Sequence, residues 1–144
     1  MLHDPSVLTS IRSRLEKLRP DSTPVWGRMT PDQMLWHVNQ ALSASLGRVA
    51  PAPNRSPIPR PIMRFLVLKM PWPRNSPTYP DWVARERHDF DAQLASCQAL
   101  VADFVARPVD AVPAPHPLFG QMSGKQQSEL HAKHLDHHLR QFGI

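Results

Sequence analysis

The chain has 144 residues, 17 prolines against 5 glycines, and a single cysteine, Cys97. That length suits one domain spanning residues 1–144, and the lone cysteine excludes both a disulfide framework and a multi-cysteine metal site. The net charge is +5, yet no run of five or more like charges occurs, and the densest basic group is only Arg12, Arg14, Lys17 and Arg19. A solvated basic surface is therefore expected rather than a nucleic-acid partner.

The first predicted helix runs from about Pro5 to Leu18. Asp4 suits its cap and Pro5 its first position, and Leu8, Ile11, Leu15 and Leu18 form one apolar stripe. The second begins at Thr30-Pro31-Asp32-Gln33, a capping-box pattern, and runs to about Leu46, with Gly47 as its stop. Met34, Val38, Ala41 and Leu42 form its inner stripe, and His37 falls inside that stripe. A shorter helix is expected over Pro61 to Lys69. The third main helix is predicted from about Asp81 to Ala106, with Phe90, Leu94, Cys97, Val101 and Phe104 carrying the period. The fourth is predicted from about Ser123 to Phe142, lined by Leu130, Leu135, Leu139 and Phe142.

No paired strands, internal repeat or glycine-rich phosphate loop is legible, so the expected class is all-α. Nine of the prolines lie between Pro51 and Pro80, inside the link between the second and third main helices. So long a link lets these two helices run parallel, which predicts a four-helix up-down-down-up bundle with a Pro-rich crossover. The prolines then stiffen connections and start helices rather than signal disorder. The N-terminus lacks a signal-peptide pattern and no apolar stretch is long enough to span a bilayer, so a cytoplasmic protein without a membrane partner is expected. A homodimer is the default for a small soluble oligomer.

Five of the eight histidines bear on function: His37, His131, His134, His137 and His138. At roughly 100° per residue, His134 and His138 lie about 40° apart on the inner face of the last helix. His131 shares that face, and His137 sits nearer its edge. This i, i+4 spacing presents two imidazoles on successive turns, as a metal ion requires. With His37 they would make a three-nitrogen site in the bundle core, leaving open positions for water or substrate. The HExxH protease pattern is absent, since no glutamate follows His134. Asp136 is expected to face outward, Arg140 to lie on the surface, and Trp26 and Met29 to pack at the start of the second helix.

Three stretches carry a resemblance to a known superfamily. They are Trp26-Gly27-Arg28-Met29 with Gln33-Met34-Leu35-Trp36-His37, then His116-Pro117-Leu118-Phe119-Gly120, then His134-Leu135-Asp136-His137-His138-Leu139-Arg140-Gln141-Phe142-Gly143. This series resembles the DinB-like metalloproteins, in a branch of unknown function with the pattern WGxM…QMLxH, HPxFG and HxxHHxxQFG. The resemblance covers about Leu15 to the end and implies the same up-down-down-up bundle. It implies a metal triad of His37, His134 and His138, with His137 as a neighbour. By spacing, Gln141 follows His138 by three on the same side and is placed to orient a ligand or metal-bound water. His116 either approaches the bundle mouth or anchors its own loop. The implied cofactor is a divalent metal ion, zinc or nickel. Active members imply a thiol S-transferase that takes a low-molecular-weight thiol (bacillithiol, mycothiol or glutathione) and a small-molecule electrophile as substrates. Two alternatives remain open at this point: a metal-dependent hydrolase, and a non-catalytic, stress-related protein that binds metal or a small ligand. One departure is that polar residues around Gln127 stand where relatives often carry a tryptophan.

Overall fold

A computed structural model describes residues 1–52, 56–74 and 76–144. Five α-helices and one 3-10 turn make up the described structure, so the all-α class holds. They are α1 (Pro5–Leu15), α2 (Pro31–Ser45), α3 (Arg60–Lys69), the turn Pro80–Trp82, α4 (Phe90–Ala106) and α5 (Gly124–Gln141). The one strand-like feature among the described residues is an isolated bridge between His116 and Gly120.

The helix starts follow local chemistry. Asp4 accepts the Ser6 amide at 2.9 Å ahead of α1. Gln33 accepts the Thr30 amide at 3.1 Å at the start of α2. Ser123 and Gln126 close a reciprocal capping box on α5, at 3.0 and 3.2 Å. At the far end of α2, Gly47 takes a φ of 74°, the left-handed conformation that stops a helix cheaply only at glycine.

One core joins α1, α2, α4 and α5. Ile11 and Leu15 meet Met34, Leu35, Val38 and Leu42, together with Cys97, Leu100, Val101 and Phe104, and with Leu135 and Leu139. Helix α2 packs against α4 and α5, and α1 packs against α5. Burial of each such leucine or valine contributes about 1.5–3 kcal/mol, and this stripe-to-stripe packing makes weak individual helices stable together. The apolar positions expected on α2 and α5 are all buried.

Two boundaries differ from the sequence reading. The first helix ends at Leu15, and Leu18 reaches the core from the turn beyond it. The third main helix starts at Phe90 instead of near Asp81. The cause is Asp32, buried at the start of α2. Its carboxylate accepts the His88 amide at 2.8 Å and the Arg87 guanidinium at 3.0 and 3.1 Å. Burial pushes its pKa up, but the His88 amide and the Arg87 guanidinium outweigh it and hold it at about 2. The segment before Phe90 is thus pinned to α2 in an extended form, and Asp89 becomes the cap of α4 by accepting the Ala92 amide at 2.7 Å.

Residues 53–55 and 75 of the Pro-rich tract lie outside the described residues. Parts of the rest of the tract contact the bundle. Helix α3 packs on α5. Lys133 of α5 donates to the Val67 and Leu68 carbonyls at 2.9 and 3.2 Å and also to the Met70 carbonyl, capping the C-terminal end of α3. Trp72 donates its indole N–H to the Val67 carbonyl at 2.7 Å, which fixes its ring beside α5. Further along, Trp82 is buried with Ala41 and Ala44 of α2.

Candidate metal centre

On α2, His37 stands one turn after Met34 on the buried face; on α5, His134 and His138 stand one turn apart on the face that meets α2. The three rings form a nearly equilateral triangle. Their centroids are 4.8 Å apart for His37 and His134, 4.9 Å for His37 and His138, and 4.9 Å for His134 and His138. One nitrogen from each ring lies within 4.8 Å of the others. The Nε2 atoms of His37 and His134 are 2.8 Å apart. These three buried histidines are the candidate metal cluster among the described residues.

The outer nitrogens are fixed by their partners. His37 Nδ1 lies 3.0 Å from the Trp82 carbonyl oxygen, which can only accept. Its Nδ1 therefore carries the proton, and its Nε2 lone pair faces the other two rings. His138 Nδ1 lies 2.8 Å from Gln141 Oε1. The orientation of that amide follows from its other end, since Gln141 Nε2 donates to the Trp26 carbonyl at 3.0 Å. A reversed amide would set oxygen against oxygen at Trp26. His138 is thereby oriented as His37 is, with Nε2 toward the centre, the arrangement that outer hydrogen bonds impose on metal-binding histidines.

Electrostatics agree with geometry. Burial lowers the His37 pKa to about 4, against the opposing pull of the Trp82 carbonyl. Burial and then His37 lower His138 to about 3, again against the Gln141 hydrogen bond. Burial, then His37 and His138, hold His134 well below the ordinary histidine value. All three rings are neutral at pH 7, the form that binds a metal. Three neutral imidazoles with no carboxylate among them could hold a metal ion.

The other expected residues divide. His137 is half-buried, edge-on to His138 with centroids 5.3 Å apart, and outside the cluster. His131 is packed against Phe104 and hydrogen-bonded to Ser45 Oγ at 2.6 Å, a satisfied core residue whose pKa burial drives to about 3. His116 anchors its own loop. Its Nδ1 accepts the Leu118 and Phe119 amides at 3.2 and 3.3 Å, its backbone pairs with Gly120, and its ring stacks on Phe119. Its ring meets Trp82, whose ring is edge-on to both His116 and His37. Gln127 is fully buried and ties α5 to the Ala114 carbonyl at 2.8 Å.

Three of the acids are committed elsewhere. Asp136 binds Arg14 at 2.7 Å and Arg140 at 3.2 Å. Asp81 accepts the Ala52 amide, and Asp89 caps α4. Cys97 is wholly buried, and burial pushes its thiol up to about 12, so it is no nucleophile.

Two site residues carry no signal that periodicity could find. Trp72 sits in the Pro-rich tract and Trp82 just beyond it, at the start of the predicted third helix but outside that helix's apolar stripe. Yet Trp82 supplies the carbonyl that orients His37, and the Trp72 ring lies 5.7 Å from that of His134. Beside the cluster is a cavity of about 570 Å³, whose lining includes Trp26, Trp72, Arg74, Lys133 and His137. The three buried histidines are not in that lining. Trp72 and His137 stand between, each touching the cavity on one side and the cluster on the other.

No curated protein and no solved structure matches this chain. One family model matches, over residues 6–143, and by it the chain belongs to the family described as "Protein of unknown function (DUF1569)".

Proposed function

We propose that this protein is a metal-dependent enzyme that transfers a low-molecular-weight thiol onto small electrophiles, with His37, His134 and His138 holding a divalent zinc or nickel ion. The observation that carries the reading is the pair of outer hydrogen bonds, to Trp82 and Gln141, that turn two neutral imidazoles inward beside a third. When bound, the metal supplies Lewis acidity that favours thiolate over thiol. The chain's own residues hold and orient the ligand nitrogens, exclude bulk water from them, and keep them unprotonated. The thiol comes from outside, because the chain's single cysteine is buried and its pKa is raised.

The wider frame is part of the same proposal. The chain is one domain of the DinB-like superfamily, a four-helix up-down-down-up bundle whose Pro-rich crossover lies along the metal site. It works in the cytoplasm, as a homodimer, on a small-molecule substrate. No helix among the described residues is long and apolar enough to cross a membrane.

A second reading, a non-catalytic metal-binding protein, is favoured by one observation: Trp72 and His137 separate the cluster from the cavity. A screen of thiols against electrophiles, using zinc- and nickel-loaded protein, decides. Thiol-dependent turnover that vanishes in His134→Ala supports the transferase. Turnover without thiol supports a hydrolase, and no turnover with metal bound supports the binding protein.

A further inference from the structure

The cavity outside His137 has a chemistry distinct from the histidine cluster. We propose that it is a binding site for a planar anion, an aromatic or conjugated group bearing a carboxylate or a similar acid, and that this is the substrate's recognition element. Binding stands on the cavity alone; its role in turnover rests on the metal-enzyme reading above.

Size is the first argument. About 570 Å³ falls within the roughly 300–1,000 Å³ typical of small-molecule sites. The second is the wall. The Trp26 and Trp72 rings lie 5.9 and 5.5 Å from the His137 ring, so three aromatic rings bound one side of the space. Such a surface favours a flat ligand, which stacks with little loss of conformational freedom.

Charge supplies the third argument. Arg74, Lys133 and Arg140 are in the lining, against one acid, Asp136. That acid is already served by Arg14 from outside, which binds Asp136 Oδ1 at 2.7 Å. Lys133 is engaged by the carbonyls at the end of α3. Arg74 differs: its guanidinium lies 5.1 Å over the Trp26 ring and makes no ion pair with any described residue. A guanidinium stacked on an indole keeps its in-plane N–H groups available to a carboxylate, which it can hold through two bonds. Trp26 also carries a buried indole N–H without an acceptor among the described residues. A cationic ligand would meet repulsion here, and a neutral arene would leave the Arg74 donors unused.

The test uses calorimetric titration of 2-naphthoate and its neutral counterpart 2-naphthamide into the metal-free and zinc-loaded full chain at low salt. Wild type should bind naphthoate at least about tenfold more tightly than the amide, a charge-assisted preference of ordinary size. Arg74→Gln, an exposed substitution, should reduce naphthoate to the affinity of the amide while leaving zinc stoichiometry unchanged. Trp72→Leu should weaken both probes. Equal affinity of the two probes in wild type, or naphthoate affinity unchanged in Arg74→Gln, would overturn the proposal. The two readings fail separately: Arg74-dependent naphthoate binding without zinc binding removes the metal enzyme and keeps the anion site. Stoichiometric zinc without a naphthoate preference does the reverse.

Discussion

Gly27 touches none of the three histidines, yet its replacement by alanine should weaken metal binding. Its φ is 81°, and a Cβ there would fall 2.5 Å from Gln141 Nε2. That contact is too short to persist, and the amide is the part that can move. Moving it breaks the bond to the Trp26 carbonyl at 3.0 Å and the one from His138 Nδ1 at 2.8 Å. Loss of such an outer partner typically costs about 10–100-fold in metal affinity, or about 1.4–2.7 kcal/mol. A backbone cost of about 1–2 kcal/mol adds to this, because alanine resists positive φ. The two effects separate by comparison with Gly47→Ala. Gly47 has a φ of 74°, and a Cβ there meets only the Ala114 side chain at an ordinary 3.9 Å. Gly47→Ala should therefore carry the backbone cost alone and Gly27→Ala a larger loss of stability in urea, and only Gly27→Ala should lose zinc affinity in a competitive chelator titration. Wild-type zinc affinity in a folded Gly27→Ala, or equal losses in the two variants, would refute the role given to Gln141.

Acid should destabilise the metal-free protein well above the range set by its carboxylates. His37, His131 and His138 are held neutral in the fold, at about 4, 3 and 3, so between those values and about 6.5 the unfolded chain binds more protons. Unfolding free energy should then fall as pH drops below about 6.5, with His37 alone contributing on the order of 3 kcal/mol by pH 4; a flat urea midpoint between pH 7 and 4.5 would contradict this. His131→Leu should keep one metal per chain while losing about 1–3 kcal/mol of stability through the unpaired Ser45 hydroxyl. Loss of metal in that variant would move His131 into the site.

The helical stripes and the histidine cluster were legible because both depend on spacing along one element. Met34, His37, Val38 and Ala41 share a face by period alone, as do His134, His138 and Leu135 with Leu139. The late start of α4 was hidden because Asp32 reaches it across more than fifty positions of sequence and holds residues whose own pattern permits helix. Trp72 and Trp82 were hidden for a related reason. Trp72 is held by its indole bond to a carbonyl inside the Pro-rich connection, and Trp82 by the short 3-10 turn just beyond it, where no period marks the buried side. The cavity, likewise, is assembled from the loop before α2, the crossover and α5, and no single stretch encodes it. His116 shows the converse: its HPxFG motif is conspicuous, and it closes a tight loop instead of supplying a nitrogen to the cluster.

Metal content per chain, measured by elemental analysis after zinc or nickel loading and buffer exchange, tests the triad most directly when wild type and His134→Ala are compared. Wild type should retain one equivalent, and the variant close to none, with helical circular dichroism nearly unchanged because alanine suits a helix interior. Equal metal in the two proteins, or none in wild type at neutral pH, would mean that the inward-facing nitrogens of His37, His134 and His138 do not hold a metal ion.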